Sequence, residues 1–199
     1  SQLDLQQVQA DEIKVKGQGG TFWMALAMTV STRLWLGGAI NPKRDLNLIQ
    51  ALANQVRQVA LCRNLLLAVD GLASYVKAFR RAFRTPLRDV RLGRPRLIAW
   101  PNIAIVQVVK QRRVSGLTID RRVVQGCTRM IERLLEITQG GGVINTAYIE
   151  RLNATFRQRL ASLARQTRAL ARQPQTLHLG MYVIGCLYNL CTYHDRLRQ

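Results

Sequence analysis

The sequence has few acidic residues. It holds 11 Asp and Glu against 30 Lys and Arg, a formal net charge of +19 over 199 residues. A folded domain with this imbalance repels itself unless it binds a polyanion, so nucleic acid is the first partner to consider and an anionic membrane surface the second. The basic residues are mostly Arg, whose planar guanidinium suits phosphate oxygens. A merely soluble or ribosome-associated basic protein is the plainer alternative.

Residues that bind zinc or form disulfides are also scarce. The chain has two histidines, His178 and His194, and four cysteines, none of them in a C-x-x-C pair. This spacing does not fit a zinc site and is typical of free thiols in a reducing compartment. No secretory signal pattern opens the sequence. We therefore expect a cytoplasmic protein.

The stretch Pro174–His194 carries no Asp, Glu, Lys or Arg. Its length approaches that of a membrane span. However, it contains His178, Gly180, Gly185 and Asn189, which would make a poor lipid-facing surface. We interpret the stretch as a buried core helix with a following turn, and a transmembrane span is the alternative.

The apolar pattern predicts an α/β chain with a mixed sheet. Apolar residues make up 48% of a chain long enough for one domain with its own core. The predicted strands are Leu5–Lys16, Thr21–Val30, Leu34–Ile40, Asn64–Val69, Ile103–Lys110 and Val114–Val124. Helical periodicity starts near Asp45, Val76, Thr128 and Asn145, and C-terminal helices are predicted over about 145–195.

A helix with a single acid stands out near the C-terminal side. The segment from Ile144 to Leu160 has an apolar line that continues to Leu170, and its one acid, Glu150, lies among arginines. The chain has few carboxylates, so an acid in a basic helix favours a specific task. The alternative is ordinary surface pairing with Arg151 or Arg157.

Three acids occupy positions that a sheet would bring together. Asp11 lies in the first strand, Asp70 ends the fourth, and Glu150 lies on the helix just described. Converging carboxylates repel one another unless divalent cations lie between them, and two such ions would clamp the oxygens of a displacement at phosphorus. A turn or helix cap is the alternative for Asp70. We interpret the remaining candidates as ordinary acids outside the site; these are Glu12, Asp120, Glu132 and Glu136.

Four segments carry a resemblance to a known family. They are "ADEIKVK" around Asp11, "LLLAVDGLASY" around Asp70, "NTAYIERLNATFRQRL" around Glu150 and "GCLYNLCTYHDRL" near the end. The chain resembles the catalytic core of bacterial insertion-sequence transposases of the DDE type, in the ribonuclease H-like group that includes retroviral integrases. The resemblance implies a ribonuclease H-like mixed five-stranded sheet flanked by helices. It also implies a basic insertion, at about 86–125, between the second and third acids.

The resemblance also implies a site and a reaction. Two Mg²⁺ or Mn²⁺ ions would be held, one by Asp11 and Asp70 and the other by Asp11 and Glu150. The activity would be hydrolysis of a phosphodiester at the ends of the transposon, followed by transfer of the freed 3′-hydroxyl into target DNA. The partners would be transposon-end and target DNA, together with further copies of the chain assembled on the DNA, and no membrane would be involved. The location would be the bacterial cytoplasm, at the nucleoid.

Basic and amide residues near the acids are the candidates for DNA contact. Arg157 lies two helical turns after Glu150, where the family typically has a basic residue, and Asn153 lies one turn after it. The other candidates are Arg151, Arg159, Lys77, Arg80, Arg81, Arg112 and Arg113. The last two lie in the presumed hairpin, where a solvated face is an equal alternative.

Two other functions remain open at this stage. Besides an active transposase core, the chain could be a decayed or domesticated core that binds DNA or assembles with partners without catalysis. The other alternative is a structure-selective nuclease of the same fold. Such transposases usually carry an upstream helix-turn-helix or zinc module, and we expect that module to be absent from this chain.

Overall fold

The computed structural model describes residues 2–87, 95–113, 116–138, 142–164 and 168–194. The side chains of Arg112, Arg113 and Leu117 also lie outside this description.

Within these residues, six strands form one mixed sheet in the order β3-β2-β1-β4-β7-β8. Strands β1 and β4 pair in parallel, as do β4 and β7, and the other neighbours are antiparallel. Two short strands, β5 (Arg84–Leu87) and β6 (Arg96–Ala99), pair separately. The strands of the main sheet are β1 (Gln7–Gly17), β2 (Gly20–Thr29), β3 (Trp35–Asn41), β4 (Leu65–Asp70), β7 (Ile103–Arg113) and β8 (Gly116–Gln125).

Helices cover both faces of the sheet. The helices are α1 (Leu46–Val59), α2 (Ala73–Ala82), α3 (Thr128–Ile137), α4 (Ala147–Arg159) and α5 (Pro174–Cys191). Helices α1 and α2 pack on one face, over residues such as Val8 and Ala10 of β1. Helices α4 and α5 pack on the other face over Ile13 and Val15, and α3 packs beside them over β4 and β7. Because side chains alternate along a strand, neighbouring residues of β1 enter different layers.

The sheet differs from the expected one in size. The described residues contribute six strands to it, where five were expected, because β8 pairs with β7 and forms an edge. The range of about 86–125, expected to be an insertion, therefore includes two strands of the main sheet. The physical reason is that β7 is apolar enough to be buried beside β4, with Ile103, Ala104 and Ile105 all in the core. Residues 88–94 and 114–115 of that range lie outside the described residues.

The helix that carries Glu150 is shorter than its apolar line suggests. Helix α4 ends at Arg159, and a short 3-10 helix, Ala161–Leu163, follows. Leu163 is still buried, and Ala171 forms a bridge with Gly17 at the end of β1. The apolar spacing continues beyond α4 because the chain folds back onto β1, and a continuous helix is not needed to bury it.

Helix α5 covers the sheet with one side only. Met181 and Tyr188 are buried against β2 and β3, whereas Leu179, Val183 and Leu190 are exposed. The expectation of a fully buried core helix is therefore wrong for the outer side. No helix in the described part of the chain is both long and apolar enough to cross a membrane.

Candidate metal centre

The strands that carry Asp11 and Asp70 are parallel neighbours that part at these acids. Their last paired residues are Ala10 of β1 and Val69 of β4, one position before each acid. Strand β4 ends there, while β1 continues beside β2. Parting strands leave a crevice at the carboxyl ends of a parallel sheet, the place where α/β proteins usually bind ligands. The expectation that a sheet brings Asp11 and Asp70 together is confirmed by this pairing.

A buried glutamine attaches α4 to this crevice. The side-chain oxygen of Gln9 accepts hydrogen bonds from the backbone N–H groups of Tyr148 and Ile149, each at 3.0 Å. Its amide nitrogen donates to the carbonyl oxygen of Asn145 at 2.8 Å. The first N–H groups of a helix have no partner within the helix, so a side chain that accepts from two of them fixes its start. Glu150, in the first turn of α4, is thereby held beside β1.

The three expected acids line one cleft. Its volume is about 330 Å³, and it lies where β4 ends between its neighbours β1 and β7. The lining residues are Asp11, Asp70, Gly71, Val108, Val109, Lys110, Thr146 and Glu150. The sheet and α4 therefore bring together acids that are far apart in the sequence.

Asp70 has two contacts of different kinds. One carboxylate oxygen accepts the backbone N–H of Leu72 at 2.9 Å, so the acid does form the turn into α2. The other oxygen accepts from the guanidinium of Arg44 at 2.7 Å. Asp70 therefore forms the turn into α2 and lines the cleft at the same time.

Glu150 pairs with a residue that its own helix does not supply. Its carboxylate contacts the ammonium of Lys110 on β7 and accepts from the Thr146 hydroxyl at 2.6 Å. The alternative partners on α4 were Arg151 and Arg157. The pairing therefore joins α4 to β7 across the cleft.

Asn153 was expected to contact DNA, and its position in the structure contradicts this. It is only 3% exposed, and its amide nitrogen donates to Asp11 at 2.8 Å. Its side-chain oxygen is buried without a hydrogen-bond partner among the described residues. Asn153 lies on the side of α4 that faces the sheet, so it orients Asp11 and does not reach the surface.

Glu12, which we expected to be an ordinary acid outside the site, lies beneath the cluster. Its side chain is 1% exposed and accepts a hydrogen bond from the hydroxyl of buried Tyr75 at 2.6 Å. Arg44 contacts Glu12 and Asp70 with the same guanidinium. The position of Glu12 directly after Asp11, within an apolar strand, was the available sequence signal.

The buried acids carry shifted pKa values. Burial raises the pKa of Asp11 to about 7, and the repulsion of Glu12 adds to this more than that of Asp70 or Glu150. Burial also raises the pKa of Glu12, as does Asp70, against the opposing effect of Tyr75 and Arg44. Bound cations would favour the ionised forms, because they offset both the desolvation and the repulsion.

The carboxylates offer the oxygen ligands that Mg²⁺ and Mn²⁺ prefer. Asp11, Glu12 and Asp70 can each place one oxygen within 4.8 Å of the others, so this group could hold a metal ion. This triad contains Glu12 where the sequence predicted Glu150. Glu12, however, already accepts from Tyr75 and contacts Arg44, whereas Glu150 is 46% exposed at the cleft.

The expected DNA-binding residues fall into two groups. On α4, Arg151 and Arg159 are exposed and Arg157 is half-buried. On α2, across the sheet, the exposed residues are Lys77, Arg80 and Arg81. Arg80 donates to the side chain of Gln125 at 2.8 Å and so joins α2 to β8. The side chains of Arg112 and Arg113 lie outside the described residues.

The chain matches no protein-family model and no curated protein.

Proposed function

We propose that this chain is the catalytic core of a DDE-type transposase. The observation that carries the proposal is the convergence of Asp11, Asp70 and Glu150 in one cleft of a protein with a net charge of +19. The mixed sheet with helices on both faces is compatible with a ribonuclease H-like fold. A strongly basic chain with a cluster of acids suits an enzyme that binds a polyanion and acts on its phosphates.

The proposal places two divalent cations, Mg²⁺ or Mn²⁺, at the acids of the cleft. Asp11 and Asp70 would hold one, and Asp11 and Glu150 the other. Such ions, when bound, stabilise the charge on the attacking and leaving oxygens at phosphorus. The remaining work belongs to the protein: Asn153 orients Asp11, and the Leu72 N–H orients Asp70.

The proposed reaction has two steps of the same kind. In the first, a water oxygen attacks the phosphodiester at the end of the transposon, and the 3′-oxygen leaves as a hydroxyl. In the second, this 3′-hydroxyl attacks a phosphodiester of target DNA, so one P–O bond forms as another breaks. Each step exchanges one oxygen for another at phosphorus, so neither needs an external energy source.

The test is cleavage of a pre-nicked DNA end in the presence of Mn²⁺. The variants Asp11→Ala, Asp70→Ala and Glu150→Ala each remove a proposed ligand of the metal ions that would stabilise the charge developing at phosphorus. We expect each to lower the rate by about a hundredfold or more. DNA binding should persist, because each variant also removes a repulsion against phosphate. The measurements are the cleavage rate and, separately, the affinity for DNA.

Matched controls are Glu132→Ala and Glu136→Ala, which remove exposed acids from α3. Both should cleave like the parent. If Glu150→Ala cleaved normally while one of the controls lost its activity, the assignment of Glu150 as the third catalytic acid would be wrong. If all five variants cleaved equally, a contaminant would be responsible, and the non-catalytic function would stand. Joining of the 3′-hydroxyl end to plasmid separates a transposase from a nuclease, which only cuts.

A further inference from the structure

Two acids of the cleft are already paired with cations that belong to the chain. Arg44 contacts Asp70 at 2.7 Å and also binds Glu12, and Lys110 contacts Glu150. Both acids repel the carboxylate of Asp11, so the chain supplies positive charge where the proposed metal ions would otherwise provide it.

The Arg44 guanidinium lies between Glu12 and Asp70. Its planar fork carries several N–H donors, which lets one side chain bind two carboxylates together. The nearby ring of Trp23, centred 5.2 Å from the guanidinium carbon, also favours a cation at this place. A metal ion shared by Glu12 and Asp70 would have to displace this group. Glu12 is therefore an anchor for Arg44, and the metal ligands are the acids that face the cleft.

The two ends of the Arg44 contact differ in how easily they break. Glu12 is 1% exposed and also accepts from Tyr75, so releasing its cation would leave a buried charge unpaired. Asp70 is 30% exposed, and water or an ion can replace its contact. The Lys110–Glu150 pair is exposed on both sides, and such pairs contribute little in water.

We propose that Arg44 and Lys110 are built-in counter-ions that hold Asp70 and Glu150 until divalent cations bind, and that they release these acids when the site fills. This inference rests on the proposed function, because it assumes that the same acids take the metal. It follows that Arg44 and Lys110 oppose metal binding by the protein alone. Once the acids are released, Lys110 and the Arg44 N–H groups that leave Asp70 can bind phosphate oxygens of DNA in the cleft, while Arg44 stays anchored to Glu12. DNA and metal should therefore bind more tightly together than separately.

The test measures Mn²⁺ affinity by calorimetry on the protein without DNA. Arg44→Gln and Lys110→Gln each remove a positive charge that contacts a ligand, so each should bind Mn²⁺ about tenfold more tightly than the parent. Arg44→Lys keeps the charge but not the fork, and its affinity should lie between those of the parent and Arg44→Gln. Adding Asp11→Asn to Arg44→Gln should remove the gain.

Two controls remove the same charge elsewhere. Lys43→Gln changes the exposed neighbour of Arg44, and Arg63→Gln removes a surface pair with Asp4 before the start of β4. Both should bind Mn²⁺ like the parent. An equal gain in Lys43→Gln would mean that general charge, and not contact with the acids, is responsible, and would overturn the inference.

The inference and the proposed function fail in different ways. Suppose Arg44→Gln and Lys110→Gln unfold cooperatively but bind Mn²⁺ no more tightly than the parent, which cleaves DNA in an Asp11-dependent way. The counter-ion inference is then wrong and the enzyme remains. If Arg44→Gln gains Asp11-dependent Mn²⁺ binding but no variant cleaves DNA, the counter-ion inference is supported and the transposase activity is not.

Discussion

At the scale of single residues, Asp11 is the most constrained acid of the site. It is shared by both proposed metal positions, lies at the parting of β1 and β4, and accepts a hydrogen bond from buried Asn153. Its pKa is raised to about 7, mainly by burial and next by Glu12. Without metal, the folded protein therefore holds a proton on Asp11 over a pH range in which the unfolded chain does not.

This predicts a pH dependence of stability in the absence of divalent cations. A raised carboxyl pKa contributes stability that is fully present below the unfolded value of 3.8 and is lost as pH rises through about 7. Asp11→Asn does not titrate, so its stability relative to the parent should rise between pH 5 and about pH 8. The measurement is urea unfolding in EDTA at several pH values.

Asp120→Asn is the matched control, because Asp120 is an exposed acid on β8. Its stability relative to the parent should stay nearly constant over the same range. A flat difference for Asp11→Asn as well would mean that Asp11 is already ionised in the folded protein, against the raised pKa.

At the scale of elements, α5 is docked onto the edge strand β3 through Trp35. The side-chain oxygen of Asn189 accepts a hydrogen bond from the backbone N–H of Trp35 at 2.8 Å, and its amide nitrogen donates to the backbone carbonyl oxygen of Trp35 at 2.9 Å. It satisfies backbone groups that an edge strand would otherwise leave open. Gly185 lies against the Trp35 ring, so the helix can approach the strand closely only because this residue has no side chain.

Two glycine substitutions on α5 separate helix preference from packing. A Cβ on Gly185 would lie 2.1 Å from a carbon of the Trp35 ring, so Gly185→Ala should destabilise the protein by about 1–3 kcal/mol. A Cβ on Gly180 would meet only the end of the flexible Leu160 side chain, at 2.8 Å. Gly180→Ala should therefore be neutral or slightly stabilising, because Ala favours a helix by up to about 1 kcal/mol over Gly.

Chemical denaturation of the two variants measures both effects. Equal stability of Gly185→Ala and the parent would mean that α5 does not pack on Trp35 as described.

At the scale of the whole molecule, the net charge of +19 dominates the expected behaviour toward DNA. Binding to a duplex should be tight, poor in sequence preference and steeply weakened by salt, because phosphate contacts release counterions. The arginines of α4 lie on the same helix as Glu150.

Arg157→Ala should weaken binding to unrelated DNA sequences about equally. It should also reduce the slope of log affinity against log salt by about one, as expected for the loss of one phosphate contact. Fluorescence anisotropy over a range of salt concentrations measures the slope. Arg63→Ala is the control, since Asn64 and the first five residues of β4, or roughly 20 Å of chain, separate Arg63 from Asp70 at the cleft. An affinity independent of salt would contradict phosphate binding altogether.

Local pattern was enough to predict the element order and part of the site. An alternating pattern predicted β1, continuous apolar runs predicted β2 to β4, and the apolar spacing every three or four residues predicted α1, α3 and the start of α4. Asp11 and Asp70 could be expected near each other, because the first and fourth strands can be neighbours in a mixed sheet. These features depend on short stretches of chain, in which periodicity directly determines the buried face.

Tertiary packing determined the partners of the polar groups. Gln9 fixes the start of α4, Asn153 orients Asp11, and Tyr75 and Arg44 hold Glu12, each across elements that are remote in sequence. Apolar periodicity tells which face of an element is buried, but burial satisfies many arrangements equally. A hydrogen bond or ion pair needs a particular partner at a particular distance and angle, and only the packed structure supplies that partner.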